Sequence, residues 1–322
     1  MERHATSREI MQKNQSIPLR KGIISVLQTP FDDRNEVDFE SLERLIEDAI
    51  KGGVDGFLAP VVASEVEYLS REERERLVTT VSRTVQDRVP FIVGASSGDP
   101  KECRYFAEMA NSVGAAAYLV AVPAPLYENP SAIPKFFEEV TSGIDRPLLI
   151  QDLVWNGPGM DLETIKILRE TIPALIGLKI ETVPAGPKYT AVREAFGPDF
   201  FISGGWAVPQ MIEALDRGVD AMIPESSMVR VYVAIDRFYR HGEREKALTL
   251  FRQLLPILAF DNQEINISIA FFKRLLHKKG IFQFPAMRRT AFQWDEYNLR
   301  IAEELIDHYL RLEERVMGAQ EG

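Results

Sequence analysis

The stretch ALIGLKIET, residues 174–182, places Ile176, Leu178 and Ile180 on one parity and Leu175, Gly177, Lys179 and Glu181 on the other. Side chains alternate across a strand, so the period of two predicts β structure. Apolar residues on both parities require cover on both faces, which a parallel sheet flanked by helices supplies. Seven further runs read the same way: GIISVLQTP from Gly22, VDGFLAPV from Val54, PFIVGA from Pro90, AAYLVAV from Ala116, PLLIQD from Pro147, FFISGG from Phe200 and VDAMIP from Val219. Helix signals separate them. Ser70 caps REERERLVTTVSRTV, Asp99 and Pro100 open KECRYFAEMANSVG, and Asp161 opens LETIKILRE, each a residue type that satisfies or tolerates the free N–H groups of a first turn.

Eight strand and helix units predict an α/β fold of the closed eightfold β/α (TIM) barrel type. The competing open, doubly wound sheet lacks support, because no Gly-x-Gly-x-x-Gly follows the first strand and no Gly-Lys-Ser/Thr phosphate loop is present. Working outward, residues 1–21 read as a polar N-terminal arm without an apolar core of signal-peptide length. Residues 22–240 form the barrel, and 241–322 a C-terminal helical extension, with helices expected over about 243–258, 264–277 and 294–317.

Composition narrows the function. The chain has 322 residues, 45% hydrophobic and 27% charged, with 38 basic against 48 acidic side chains and a net charge of −10. That balance disfavours a nucleic-acid surface, and no apolar run approaches the roughly 18 residues of a membrane span. The single cysteine, Cys103, forms no internal disulfide and suits a cytoplasmic setting. A small-molecule enzyme is expected.

In such a barrel, reactive groups sit at the C-terminal ends of strands. If Ile176, Leu178 and Ile180 pack outward against helices, Lys179 points into the barrel mouth, where burial favours the neutral amine. A neutral amine attacks a ketone or aldehyde to form a Schiff base, and the iminium then accepts electrons from a neighbouring carbon–carbon bond. The competing reading has Lys179 end a strand, reaching solvent or pairing with Glu181. The loop AVPAPLYENPS carries Tyr127 to the same rim, as a proton relay or as a packing aromatic. Trp155 and Trp206 lie just past strand ends, either as aromatic walls for a bulky, weakly charged aldehyde or as filler between loops or subunits.

These motifs resemble the dihydrodipicolinate synthase and N-acetylneuraminate lyase superfamily of Schiff-base aldolases. The resemblance rests on TPF at Thr29–Phe31, GLKIE around Lys179, PLYENPS, and ISGG at Ile202–Gly205. It implies a barrel with a helical C-terminal part, a homodimer or homotetramer, and no cofactor or metal. It further implies that Lys179 forms the Schiff base with a 2-oxo acid, pyruvate or a 2-keto sugar acid, and that Tyr127 shuttles protons beside it. Substrate binding falls to Ala63, Ser64, Glu65, Gly204 and Gly205, with Trp155 and Trp206 at the variable end.

Two departures bear on substrate. The family's Gly-Thr-Thr-Gly-Glu loop is here Val61, Val62, Ala63, Ser64 and Glu65, so the hydroxyl relay of the synthase is missing. The Gly-Arg-Thr-Gly segment is replaced by LVWNGPGM, which removes the arginine for a dicarboxylic partner. An aldolase or lyase other than the true synthase is therefore expected, with dehydration of a 2-keto-3-deoxy acid by the same iminium as the alternative. Two further readings stand beside it. One has Asp152, Glu181 and Glu225 bind Mg²⁺ to stabilise an enolate, the histidines (4, 241, 277 and 308) lying away from the rim. The other is a metabolite-binding homologue without catalysis.

Overall fold

The computed structural model describes residues 18–206, 208–289 and 292–318. His4 and residues 1–17 of the expected arm lie outside the described residues. Eight parallel strands close into one barrel in sequence order: β1 (Gly22–Val26), β2 (Gly56–Ala59), β3 (Phe91–Gly94), β4 (Ala117–Ala121), β5 (Leu148–Leu153), β6 (Leu175–Glu181), β7 (Phe201–Gly205) and β8 (Ala221–Ile223), which pairs back onto β1. The helices between and after them are α1 (Phe39–Gly52), α2 (Arg71–Val85), α3 (Pro100–Ser112), α4 (Ile133–Thr141), α5 (Leu162–Thr171), α6 (Gly186–Phe196), α7 (Met211–Asp216) and α8 (Val229–Arg240).

The caps behave as their chemistry demands. Ser70 accepts from the Glu73 N–H while Glu73 reaches back to the Ser70 N–H, and Asp161 accepts from Thr164 N at 2.7 Å. Asp99 accepts from Lys101 N with Pro100 in the first turn, where no N–H is needed.

The core has two layers, as closure of a sheet requires. Ile24, Val26, Leu58, Ile92, Leu119, Leu149, Ile176, Phe201 and Ile223 fill the barrel interior, and a larger set including Ile23, Phe57, Val93, Tyr118, Ile150, Leu178 and Ile180 packs between strands and helices. Alternation assigns the two sets everywhere except at the start of β6. There Leu148 pairs with Leu175 and Leu149 with Gly177, which leaves Ile176 as an extra residue, a β-bulge. Leu175 consequently packs outward and Ile176 inward, the reverse of the strict parity expected from the sequence. Beyond the bulge Leu178 and Ile180 face the helices, and Lys179 keeps its place inside. Gly177 fits the bulge because a Cβ there would collide with the carbonyl of Phe201.

Three helices follow the barrel: α9 (Arg244–Asp261), α10 (Ile265–Lys278) and α11 (Glu296–Gly318). Ion pairs fix them to the barrel. Lys279, just past α10, lies 2.8 Å from Glu313 of α11 and 3.8 Å from Asp48 of α1. Arg230 of α8 grips Asp48 with two nitrogens, at 2.8 and 2.6 Å.

Candidate active site

The C-terminal rim of the barrel holds a partly open cleft. Its polar lining is Gln151 of β5, Lys179 and Glu181 of β6, and Glu225 beyond β8. Its apolar lining comes from three directions: Val61, Val62 and Ala63 of the turn after β2, Trp155 and Trp206, and Ile265 and Phe272 of α10.

Lys179 is 3% exposed, and its Nζ donates to Glu181 Oε2 at 2.8 Å. Two residues apart on one strand, the two side chains share a face, so β6 itself creates the pair. Gln151, opposite Lys179 in the β5 register, donates its amide to the same Glu181 oxygen. The inward reading and the Glu181 pairing are thus both realised: an amine lies inside the rim, held by a carboxylate that is held in turn by an amide. Gly205 leaves room for them, since a Cβ there would sit 2.6 Å from Lys179 Cε and collide with Glu181 Oε1. A Cβ at Gly204 would meet the Tyr189 hydroxyl at 2.6 Å instead.

Trp155 and Trp206 meet edge to face, 4.5 Å between ring centroids, and form one wall. Trp206 holds a left-handed backbone, φ 45°, as does the β-branched Val208, φ 55°, a strained arrangement that persists only where its surroundings enforce it. The indole is tied to α10, Trp206 Nε1 donating to Ser268 Oγ at 3.1 Å.

The Tyr127 hydroxyl hydrogen-bonds β5 rather than Lys179. Tyr127 is absent from the cleft lining, its hydroxyl donates to Asp152 Oδ1 at 2.9 Å, and it accepts from Leu153 N at 3.0 Å. Asp152 pairs in register with Ile180, an outward-facing residue, so this carboxylate lies on the helix side of β5, whereas Leu153, whose N–H meets the phenol, lines the cleft. Lys188 of α6 completes the network, bonding Asp152 and the carbonyls of Pro158 and Met160 at 2.6 and 2.7 Å. Burial first and the Asp152 charge second push the Tyr127 phenol well above its ordinary value. The three acids expected around Mg²⁺ are likewise divided. Glu181 and Glu225 line the cleft, whereas Asp152 faces outward and is engaged by Lys188.

The turn after β2 also divides. Ala63 lines the cleft, but Ser64 and Glu65 point into protein. Ser64 Oγ donates to Leu27 O at 2.6 Å and accepts from Val61 N at 3.1 Å. Glu65 is fully buried against Lys273 and accepts from the N–H groups of Arg288 and Arg289 at 2.8 and 3.1 Å. Its carboxylate is consumed in holding the C-terminal segment.

Sequence reasoning passed over Gln151, Gln28 and the α10 residues. The two glutamines carried a signal, an amide at the end of an apolar strand run, in PLLIQD and GIISVLQTP. Ile265 and Phe272 carried none, because only the docking of α10 brings them to the rim. Glu225 is more telling than a metal ligand would be. It is 3% exposed, its oxygens accept from Ser227 N, from Met228 N at 3.1 Å and from Gln28 Nε2 at 3.2 Å, and burial pushes it up to about 7 against those donors.

Fold and cleft together are those of an eightfold β/α barrel with its polar groups gathered at the C-terminal rim. The chain belongs to the Dihydrodipicolinate synthetase family, whose sequence model matches residues 19–307. It is 29% identical over 244 residues to the 4-hydroxy-tetrahydrodipicolinate synthase of Bartonella quintana (strain Toulouse), covering 74% of this chain and 81% of that one. It is 26% identical over 272 residues to the L-2-keto-3-deoxyarabonate dehydratase of Azospirillum brasilense, covering 83% and 87%. Among solved structures, dihydrodipicolinate synthase from Rhodopseudomonas palustris superposes with a TM-score of 0.84 at 23% identity, covering 91% of this chain and 99% of that one. A sialic acid aldolase catalytic lysine mutant from Ruminococcus gnavus superposes with a TM-score of 0.83 at 16% identity, covering 94% and 100%. At those identities the superpositions define the fold, and the family is one of synthases, lyases and dehydratases.

Proposed function

We propose that this protein is a class I lyase that joins Lys179 to the carbonyl carbon of a 2-oxo acid, pyruvate or a 2-keto sugar acid, and makes or breaks the adjoining carbon–carbon bond. The observation that carries the reading is a lysine amine inside the rim, the one amine among the described residues that line the cleft. Attack by Nζ on the carbonyl and loss of water give a cationic iminium, which takes up the electron pair of the bond that breaks. Glu181, 2.8 Å from Nζ, faces that positive charge and stabilises it.

Among the described residues, the cleft lining contains no arginine and, besides Lys179, no cation. A second carboxylate on the substrate would face Glu181 and Glu225 unpaired, which argues against the condensation partner of the true synthase. An aldehyde portion that stacks on Trp155 and Trp206 fits better. Dehydration of a 2-keto-3-deoxy acid is the second reading, favoured by the dehydratase among the similar proteins. A silent binding homologue would need neither Lys179 nor Glu181. We extend the proposal to a homodimer or homotetramer in the cytoplasm. The lone Cys103 is buried, and burial pushes its thiol up to about 12, away from the reactive thiolate. No helix among the described residues is long and apolar enough to cross a membrane.

Borohydride reduction in the presence of pyruvate tests the proposal. An adduct mapped by mass spectrometry to Lys179, and lost in Lys179→Ala, is the expected result. An unmodified Lys179 at saturating pyruvate overturns it.

A further inference from the structure

We propose that Glu225, beyond the end of β8, is the acid–base residue that moves protons between solvent and the substrate held on Lys179. The assignment rests on the Schiff-base reading and names the proton carrier that reading needs. The Tyr127 phenol is engaged instead with Asp152 and Leu153 N of β5. Of the carboxyls that line the cleft, Glu181 is tied to Lys179 and Gln151. Glu225 remains, with no cation among its hydrogen-bond partners.

Its surroundings support both protonation states. Ser227 N, Met228 N and Gln28 Nε2 donate to the carboxylate. Gln28 Oε1 is buried without a hydrogen-bond partner, and a half-turn of that amide presents this oxygen to a protonated Glu225. The titratable groups facing Glu225 come from every side: Lys179 across the cleft, Tyr232 of α8, Asp261 at the end of α9, Lys279 past α10 and Tyr309 of α11. Lys279 favours the carboxylate but is itself bonded to Glu313 at 2.8 Å. Asp261, buried with Oδ2 unpartnered, is driven above its ordinary value by burial and by Glu225. Desolvation dominates at Glu225, which therefore titrates near neutral pH and can both accept and return a proton.

The step balances without a co-reactant. The Glu225 carboxylate takes a proton from C3 of the iminium, the C3–H electron pair becomes the C2–C3 π bond, and the C2–N π pair moves onto nitrogen. The product is a neutral enamine and a protonated Glu225, and the reverse step returns the proton to C3.

Pyruvate in D2O is the probe, with two readouts that separate this assignment from the Schiff-base reading. Borohydride trapping on Lys179 reports the iminium, and deuterium incorporation at C3, followed by NMR, reports proton removal. In Glu225→Gln we expect trapping within a few fold of the unaltered protein and exchange slower by ~10²–10⁴-fold. In the unaltered protein, exchange should rise as pH passes through about 7, and Glu225→Asp should restore part of the rate with a shifted inflection. Exchange at the unaltered rate in Glu225→Gln overturns the assignment. So does joint loss of trapping and exchange in a variant whose circular dichroism and melting are unchanged, because the residue would then serve the site's shape. A protein that exchanges C3 without ever trapping on Lys179 overturns the Schiff-base reading, and this assignment with it.

Discussion

Lys273 and Glu65, 208 residues apart in the chain, form an ion pair in which neither side chain is exposed. The pair joins α10 to the turn after β2, and Lys273 also donates to Ala286 O at 2.9 Å and lies 4.2 Å from the centre of the Phe31 ring. Burial lowers the Lys273 ammonium and the Glu65 charge opposes that shift. Removing one partner strands the other in a dry interior. Glu65→Gln should therefore lower stability by ~3–5 kcal/mol in urea unfolding. A Glu65→Leu/Lys273→Met double variant should recover most of that loss.

Gly205→Ala tests the packing around the reactive amine. The added methyl would meet Lys179 Cε at 2.6 Å and collide with Glu181, displacing the pair in a strand that is otherwise intact. Pyruvate trapping on Lys179 should fall by more than tenfold while the circular dichroism spectrum is unchanged. Gly197→Ala, where no atom lies within 4 Å of an added Cβ but φ is +73°, should cost stability and leave trapping intact.

Stability should depend on pH through Glu225. Its folded value, about 7, exceeds the reference 4.5 because burial disfavours the anion. Between those values the folded state holds the proton more tightly than the unfolded chain, so stability falls as pH rises, and the effect levels off above about 7. The full change is on the order of 3 kcal/mol. Urea midpoints measured from pH 4.5 to 8 should show this slope, and Glu225→Gln should flatten it.

Trp206→Ala should change which aldehydes are accepted more than how fast the lysine reacts. The Trp155–Trp206 contact is worth ~0.5–1.5 kcal/mol beyond buried area, so selectivity for aromatic over small aldehydes should drop several-fold in kcat/KM. Pyruvate trapping should stay within a few fold. Equal loss for every aldehyde would assign the indole to loop packing.

The barrel was legible because its causes are local. Alternation in the strands, Ser70, Asp99 and Asp161 at helix starts, and apolar residues on both parities all act over a few residues, and each agrees with closure. Lys179 inside the rim followed from the same alternation, although the bulge at Ile176 broke the parity used to place it. The surroundings of the site were less legible. Tyr127 sits in the expected loop, but the direction of its hydroxyl depends on Asp152 and Lys188, two residues 36 apart in the chain that meet only in the folded barrel. Glu65 resembled a ligand-binding residue because its role as the counter-ion of Lys273 depends on a helix more than 200 residues away. Glu225 was visible as an acid near a strand end, and its hydrogen bonds from Gln28, Ser227 N and Met228 N were not.

The extra residue in β6 makes the position of the amine tolerant of a change in chain length. Pairing with β5 fixes Gly177 opposite Leu149 and Lys179 opposite Gln151, while Ile176 has no partner of its own. A chain lacking Ile176 would keep both of those pairings, so Lys179 would still face the cleft. Removal of Leu178, by contrast, would turn the amine toward the helices. The bulge thus acts as an expansion joint: length can vary below it while the orientation of the lysine above it is preserved.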